Sequence, residues 1–322
     1  MRAIIVARTG GPDVLELRDL PTPTPGEGEA LIKLAVAGVN FVDVYYRTGL
    51  YPTPLPFTPG VEGVGIVAGL GPGVAEVKVG ERVGWVMNLG SYADYAVVPA
   101  WKLVPIPAGL DDATAAASLV QGLTAHFLTK TTYPIRPGDD VLIHAAAGGL
   151  GLLLTQMAAR AGARVIGTVS TRAKADLARA AGAHDVILYT EEDFAAATRR
   201  LTNGVGVAVV YDSVGRTTFL GSLDSLRPRG MLVLCGTSSG AVPATEPAVL
   251  GAKGSLFLTR PRLADYVADR VTLLSRASDI FGAILEGRLR IRAEHVYALE
   301  EAARAHQDLE TRRTTGKLVL TI

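Results

Sequence analysis

The sequence predicts an α/β chain in which a doubly wound parallel sheet is joined to a small β-barrel. Three observations carry this expectation. Residues 1 to about 110 read as short strands broken by Gly and Pro. From residue 111 onward, continuous apolar strands alternate with helices, the pattern of a parallel sheet covered on both faces. The first of these strands runs into a glycine-rich turn, His144-Ala145-Ala146-Ala147-Gly148-Gly149-Leu150-Gly151, and then a helix.

Length and composition agree. At ~150 residues per domain, 322 residues allow two domains. A hydrophobic fraction of 48% with 20% charged residues supplies a core and excludes disorder. Lys and Arg number 32 against 31 Asp and Glu, a net charge of +1. That balance gives no case for nucleic acid as a main partner or for an anionic membrane surface. The single cysteine, Cys235, excludes an intramolecular disulfide and any multi-cysteine metal site, and it fits a reducing compartment. Its apolar approach, Val233-Leu234, suggests buried packing rather than a nucleophile. Between Arg2 and Arg8 lie five apolar residues, too few for a signal-peptide core. Residues 141–159 are uncharged, but His144, Gln156 and three glycines make a strand, a turn and a helix a better account than a membrane span. A soluble, cytoplasmic protein is expected.

Along the first part, residues 3–6, 14–18 and 30–36 read as strands, with Pro21, Pro23 and Pro25 marking a connection. Residues 64–67 and 74–79 flank Gly69, Gly71 and Gly73, a hairpin or bulge signal. Asp111-Asp112 then precede an alanine-rich helix. Strands follow at 141–145, 164–169, 186–189, 207–212, 231–235 and 255–259, with helices at 152–160, 172–181 and 193–202. A helix over 267–286 leads to a final strand, 317–322, expected to return to the first domain.

Against the dinucleotide pattern G-x-G-x-x-G, the turn reads Ala146, Gly148 and Gly151. The second position lets backbone approach a pyrophosphate, and the third lets the helix pack closely on the strand. Unpaired N–H groups at the helix start suit phosphate. Ala146 departs from the first glycine, but strand, turn, helix and second strand follow in the required order. An NAD site places Asp or Glu at the end of that second strand. Here the residues are Ser170, Thr171, Arg172, Ala173 and Lys174, hydroxyls and cations that would hold a 2′-phosphate a carboxylate would repel. NADPH is the expected cofactor.

In these features the chain resembles the zinc-independent, zeta-crystallin-like quinone oxidoreductases of the medium-chain dehydrogenase/reductase superfamily. The supporting segments are residues 37–51, Pro59-Gly60-Val61-Glu62-Gly63, His144 to Gly151, Tyr211-Asp212-Ser213-Val214-Gly215 and Arg312-Arg313-Thr314-Thr315-Gly316-Lys317. Together they extend over essentially the whole chain. The resemblance implies a Rossmann doubly wound parallel sheet over 121–260 that binds NADPH, and a GroES-like small β-barrel catalytic domain from 1–120 and 261–322. Zinc alcohol dehydrogenases carry Gly-His-Glu where this chain has Gly60-Val61-Glu62, and Val61 has no ligand atom. No cysteine lobe lies between Trp85 and Trp101, so no metal is expected.

The resemblance also implies site residues. Asn40 and Tyr45 would lie beside the nicotinamide, with Thr124 approaching it. Gly148, Gly149 and Gly151 would face the pyrophosphate, and Ser170, Thr171 and Lys174 the 2′-phosphate. Tyr189 would flank the adenosine. Ser213, Gly236, Ser238, Ser239, Phe257, Thr259 and Arg312 would complete the cofactor contacts. Tyr45 and Tyr51, with Asn40, would serve the acceptor. The activity implied is reduction of a quinone or another electron-poor acceptor by NADPH. Two alternatives stay open: an enone or enal double-bond reductase, and a nucleotide-bound structural or RNA-binding protein of the crystallin kind. A homodimer joined through the apolar edge strand 255–259 is expected.

Overall fold

A short continuous apolar run, buried from Ala3 to Val6, starts the chain in an antiparallel ladder of β1 (Arg2–Val6) and β2 (Leu15–Asp19). The computed structural model describes residues 1–322 and divides into two units, Met1–Leu123 with Tyr266–Ile322, and Thr124–Asp265. The first unit continues with β3 (Glu29–Val39), β4 (Glu62–Leu70), β5 (Arg82–Val86), β6 (Tyr95–Pro99) and β7 (Val104–Pro105).

The second unit holds six strands: β8 (Asp140–Ile143), β9 (Arg164–Val169), β10 (Asp185–Leu188), β11 (Val207–Asp212), β12 (Leu226–Leu234) and β13 (Phe257–Thr259). All pair in parallel, in the order β10-β9-β8-β11-β12-β13. The order reverses direction between β8 and β11, where a doubly wound sheet opens its ligand crevice at the carboxyl ends of the strands. Leu142, Ile166, Ile187, Val210 and Leu232, one from each of five strands, are buried against Ala197, Phe219 and Leu223 from the covering helices.

Back in the first unit, β14 (His295–Ala298) and β15 (Leu318–Thr321) complete a seven-stranded sheet, β14-β15-β3-β4-β5-β7, with β6 also on β3. Eleven residues long, β3 carries two irregularities against β4, at Leu31/Ile32 and Leu34/Val36. Such bulges bend a strand. The bend lets the first half of β3 pair with β6 and its last four residues with β15. The last strand thus returns to the first domain as expected.

Residues 74–79 are a correction. They form no strand; Val77 is buried in the barrel core while Val79 is 62% exposed. Alternating valines there reflect a loop pinned by one apolar anchor, and β4 pairs instead with β5. Ser255 and Leu256 likewise fall outside β13, because Ser255 takes a positive φ of 55°.

A buried polar chain fixes helix Ala302–Glu310 to helix Phe41–Arg47. The Arg47 guanidinium donates to both carboxylate oxygens of Glu310 at 2.9 Å and to His306 Nδ1 at 3.1 Å. Arginine only donates, so Nδ1 accepts and the proton sits on Nε2, which faces the Tyr92 hydroxyl at 3.1 Å. Burial and the nearby Arg47 cation push His306 down to about 3. Its stabilisation is therefore complete above the ordinary histidine range and is lost as pH falls toward 3. Asp43, pushed up to about 7 by burial, acts in the opposite sense: its cost grows as pH rises from about 4 to 7. His306→Gln should leave the Asp43 effect in place and remove the histidine effect. Urea unfolding at pH 7.5 and pH 5.0 is expected to show the wild type losing more stability on acidification than the variant; equal losses would contradict the buried neutral imidazole.

Candidate active site

The turn after β8 is built for close approach. A Cβ on Gly151 would fall 2.2 Å from the Ala145 carbonyl oxygen and 2.8 Å from Ala146 Cα, so only glycine lets helix Gly149–Arg160 start this close to the strand. Ala146 stands where the pattern has its first glycine. Its methyl fits because the neighbouring strand carries Gly167, whose own Cβ would lie 2.8 Å away. The missing glycine has thus moved across to β9. Gly148 occupies the N-cap position without a side-chain cap, and Gly148, Gly149 and Leu150 are half-buried. The first N–H groups of this helix have no intrahelical acceptor, and its dipole places positive charge there.

Other predicted residues of this unit follow the carboxyl ends of the strands. Ser170 and Thr171 come directly after β9, and Lys174 lies one turn into the next helix. The Thr171 hydroxyl caps that helix by accepting from the Lys174 N–H at 3.3 Å. No carboxylate occupies these positions. Tyr189 follows β10 and is 40% exposed. Ser213 follows β11, and Gly236, Ser238 and Ser239 follow β12. Gly236 lies so near Ser213 that a Cβ would meet its carbonyl oxygen at 2.6 Å, while the Ser238 N–H donates to the same oxygen at 3.2 Å. Thr259 ends β13. Phe257 does not join this group: it begins β13 and is 54% exposed. Thr124 lies on helix Asp112–Phe127. Arg312 belongs to the other unit, in an exposed turn with φ 58°.

Beneath the strand ends lies a network that sequence reasoning missed. Asp212, fully buried, accepts the Val214 and Gly215 N–H groups at 2.8 and 2.9 Å and the hydroxyls of Thr218 and Ser222. Ser222 gives its proton to Asp212, so it accepts from His144 Nε2 at 3.0 Å, while Nδ1 takes the Thr168 hydroxyl at 2.9 Å. Burial lowers the His144 pKa, opposed by Asp212. The neutral ring packs edge-on against Phe194 at 4.7 Å. Three strand ends, β8, β9 and β11, are tied together by this one histidine. The Cys235 thiol, raised to about 12 by burial and by Asp212, is inert packing in keeping with its apolar context.

In the first unit, register assembles the residues around Asn40. Leu318 pairs with Val39, which sets Lys317 beside Asn40; Gly63 pairs with Ala37, which sets Glu62 opposite Gly38. Asn40 is 5% exposed at the start of helix Phe41–Arg47, and Asp43 accepts its backbone N–H at 2.8 Å. Its carboxamide accepts from Lys317 Nζ at 2.6 Å and donates to Glu62 Oε1 at 2.7 Å. Tyr45, 8% exposed, meets Tyr51 edge-on with ring centroids 5.3 Å apart. Val61 is buried, its N–H held by Asp43 at 3.1 Å. No three His, Cys, Asp or Glu side chains are grouped to hold a metal ion. Lys317 and Glu62 both stood in quoted motifs, but a lone Lys and a lone Glu 255 positions apart carry no mutual signal without the register.

Comparison with known proteins defines the class. The model of the alcohol dehydrogenase GroES-like domain matches residues 26–108, and that of the zinc-binding dehydrogenases residues 149–264. The chain belongs to the medium-chain dehydrogenase/reductase superfamily. Within it, the chain is a member of the quinone oxidoreductase family. It is 45% identical to the quinone oxidoreductase of Pseudomonas aeruginosa over 99% of both chains, and 42% identical to the 2-haloacrylate reductase of a Burkholderia species over 99% of this chain and 98% of the other. Among solved structures, the Escherichia coli quinone oxidoreductase complexed with NADPH superposes with a TM-score of 0.97 at 41% identity, over 100% of both chains. A mycobacterial protein complexed with NADPH gives 0.97 at 47% identity, again over 100% of both.

Two substitutions test this geometry. Asp212→Asn keeps one oxygen for the two N–H groups but sets an NH2 against the Thr218 and Ser222 hydroxyls, which lose Oδ2 as their acceptor, and should cost about 1–3 kcal/mol in urea unfolding. Gly151→Val should abolish nucleotide binding by displacing the helix start, read by fluorescence titration; unchanged affinity would contradict the close-packing account.

Proposed function

We propose that this chain is an NADPH-dependent quinone reductase that works without metal or flavin, with residues 121–260 binding NADPH and residues 1–120 and 261–322 forming the catalytic domain. The observation that carries this is the set of strand ends at the β8/β11 reversal. There a glycine turn with half-buried helix N–H groups stands next to a strand end that offers Ser170, Thr171 and Lys174 and no carboxylate. The donors suit a pyrophosphate, and the hydroxyls and cation suit a 2′-phosphate. Relatives named quinone oxidoreductase, and neighbours complexed with NADPH, support the same reading.

Bound NADPH supplies the hydride and with it both electrons. The chain's residues bind, orient and exclude water. Gly148, Gly149 and Gly151 hold the pyrophosphate; Ser213, Gly236, Ser238, Ser239 and Thr259 contact the nucleotide along the strand ends. Tyr189 flanks the adenosine; Thr124, Phe257 and Arg312 are assigned to the cofactor on the family likeness alone, since they lie outside the strand-end group. Asn40 and Tyr45 lie beside the nicotinamide. The T-shaped Tyr45–Tyr51 pair offers a ring face and hydroxyls to a flat acceptor. Hydride addition to a quinone leaves a hydroquinone monoanion, a phenolate stable enough to pick up its proton from water, so no side chain need be an essential acid.

Val61 stands without a donor atom where the zinc alcohol dehydrogenases have a metal-ligating His, and alcohol oxidation without a Lewis acid lacks stabilisation for its alkoxide. An electron-poor acceptor is the substrate class. The likeness to a 2-haloacrylate reductase favours a second reading, reduction of an activated C=C bond. We also read the chain as a cytoplasmic homodimer. No helix is long and apolar enough to cross a membrane, and the edge strand β13 exposes Phe257 and Leu258 at 54% and 41%, an apolar edge suited to a second copy.

Lys174→Ala should weaken NADPH binding by roughly tenfold, the value of about one charge-assisted hydrogen bond, with NADH affinity almost unchanged. Equal loss for both nucleotides would refute the 2′-phosphate assignment. In steady-state assays with NADPH, simple para-quinones should outrank 2-haloacrylate and enones in kcat/KM; the reverse ranking would select the second reading.

A further inference from the structure

Lys317 and Glu62 are ionisable, exposed to 1% or less, and absent from the functional assignment above. Their ammonium and carboxylate are paired directly. The Lys317 ammonium also donates to Asn40 Oδ1 at 2.6 Å, and Glu62 Oε1 also accepts from Asn40 Nδ2 at 2.7 Å. The three side chains close a triangle. Glu62 Oε2 is anchored separately by the Val120 N–H at 2.6 Å. Gly38, opposite Glu62, leaves the space this carboxylate fills, since a Cβ there would meet Oε1 at 2.0 Å.

The triangle permits one orientation of the Asn40 amide. An ammonium only donates and a carboxylate only accepts, so Oδ1 must face Lys317 and the NH2 must face Glu62. The flipped amide would set N–H against ammonium and oxygen against carboxylate. One amide N–H is committed to Glu62, and the second is left as a donor. A buried ion pair is a poor device for stability alone, because a well-packed apolar pair often does as well or better. Orientation of a neighbouring amide is something no apolar pair provides.

We propose that Lys317 and Glu62 are positioning residues that lock the Asn40 carboxamide so that its second N–H donates to the carbonyl oxygen of the acceptor as negative charge develops there. No proton is transferred; the hydrogen bond strengthens as the acceptor is reduced. The proposal rests on the reading of Asn40 as an acceptor-side residue.

The experiment compares full-length Lys317→Met and Lys317→Met/Glu62→Gln with wild type. Lys317→Met strands a buried carboxylate and should unfold at lower urea and turn over slowly. The double variant removes both charges and should recover most of the urea midpoint, with NADPH affinity within about threefold of wild type. Its kcat with a para-quinone should remain depressed on the order of ten- to hundredfold. Recovery of kcat together with stability would overturn the proposal and leave a merely structural pair. Weakened NADPH binding with kcat unchanged at saturation would also overturn it, since the amide would then serve the nucleotide. The orientation is read separately, without acceptor, from the Asn40 side-chain N–H resonances. Wild type should show two inequivalent protons, one protected from exchange by Glu62, and the double variant should lose that protection; rapid exchange in wild type would overturn the lock. Wild-type protein that shows the lock but reduces no quinone would overturn the quinone reading, and the acceptor role with it.

Discussion

Glu62 is a carboxylate held entirely away from water, and much of the first unit is arranged to make that tolerable. An isolated buried charge costs several kcal/mol, so each of its lone pairs needs a donor. The donors come from distant parts of the chain: Lys317 before the last strand, Asn40 after the long strand β3, and the Val120 backbone in helix Asp112–Phe127. Even the space is provided, by Gly38 on the opposite strand. Removing one partner of such a pair typically costs about 3–5 kcal/mol, which ties the position of the carboxy-terminal strand to that of the barrel. Asp43 repeats the device on a smaller scale, gathering the Asn40 and Val61 N–H groups and the Tyr92 hydroxyl.

Asp212 plays the corresponding part in the second unit. It folds the loop after β11 around two backbone N–H groups, and through Ser222 and His144 it reaches β8 and β9. The carboxyl ends of β8, β9 and β11, where the sheet reverses direction, are therefore linked by hydrogen-bonded polar groups. Such networks in a low-dielectric interior are stiff when complete and costly when broken. The glycine turn itself needs no side chain to act; what it needs is closeness, supplied by Gly151 on one side and by the Ala146–Gly167 exchange on the other.

Much of this was legible in the sequence. The apolar strands of the parallel sheet, the glycine turn and the absence of a carboxylate after β9 are local signals, each within a dozen residues, and periodicity reads such signals well. The return of the last strand to the first domain was also visible, from its apolar run and the family likeness. Residues 74–79 misled because alternating valines can anchor a loop as well as a strand: Val77 is buried and Val79 exposed, but no partner strand lies alongside. Strand β14 and helix Ala302–Glu310 escaped notice because their stability comes from contacts such as Arg47 with Glu310, 263 positions apart. The Lys317–Asn40–Glu62 triangle was out of reach for the same reason. It exists through the register of three adjacent strands, and a register cannot be read from any one of them.

Strand ends that offer hydroxyls and a cation but no carboxylate, and a polar cluster around Asn40 without metal ligands, are what we propose suffice for hydride transfer from NADPH to a quinone. The most direct measurement is single-turnover oxidation of stoichiometric NADPH by a para-quinone, using enzyme exhaustively treated with a chelator and stripped of flavin. Undiminished, rapid oxidation with NADPH and slow oxidation with NADH is the predicted result. Loss of turnover on chelation, restored by added zinc, or a preference for NADH, would contradict the account.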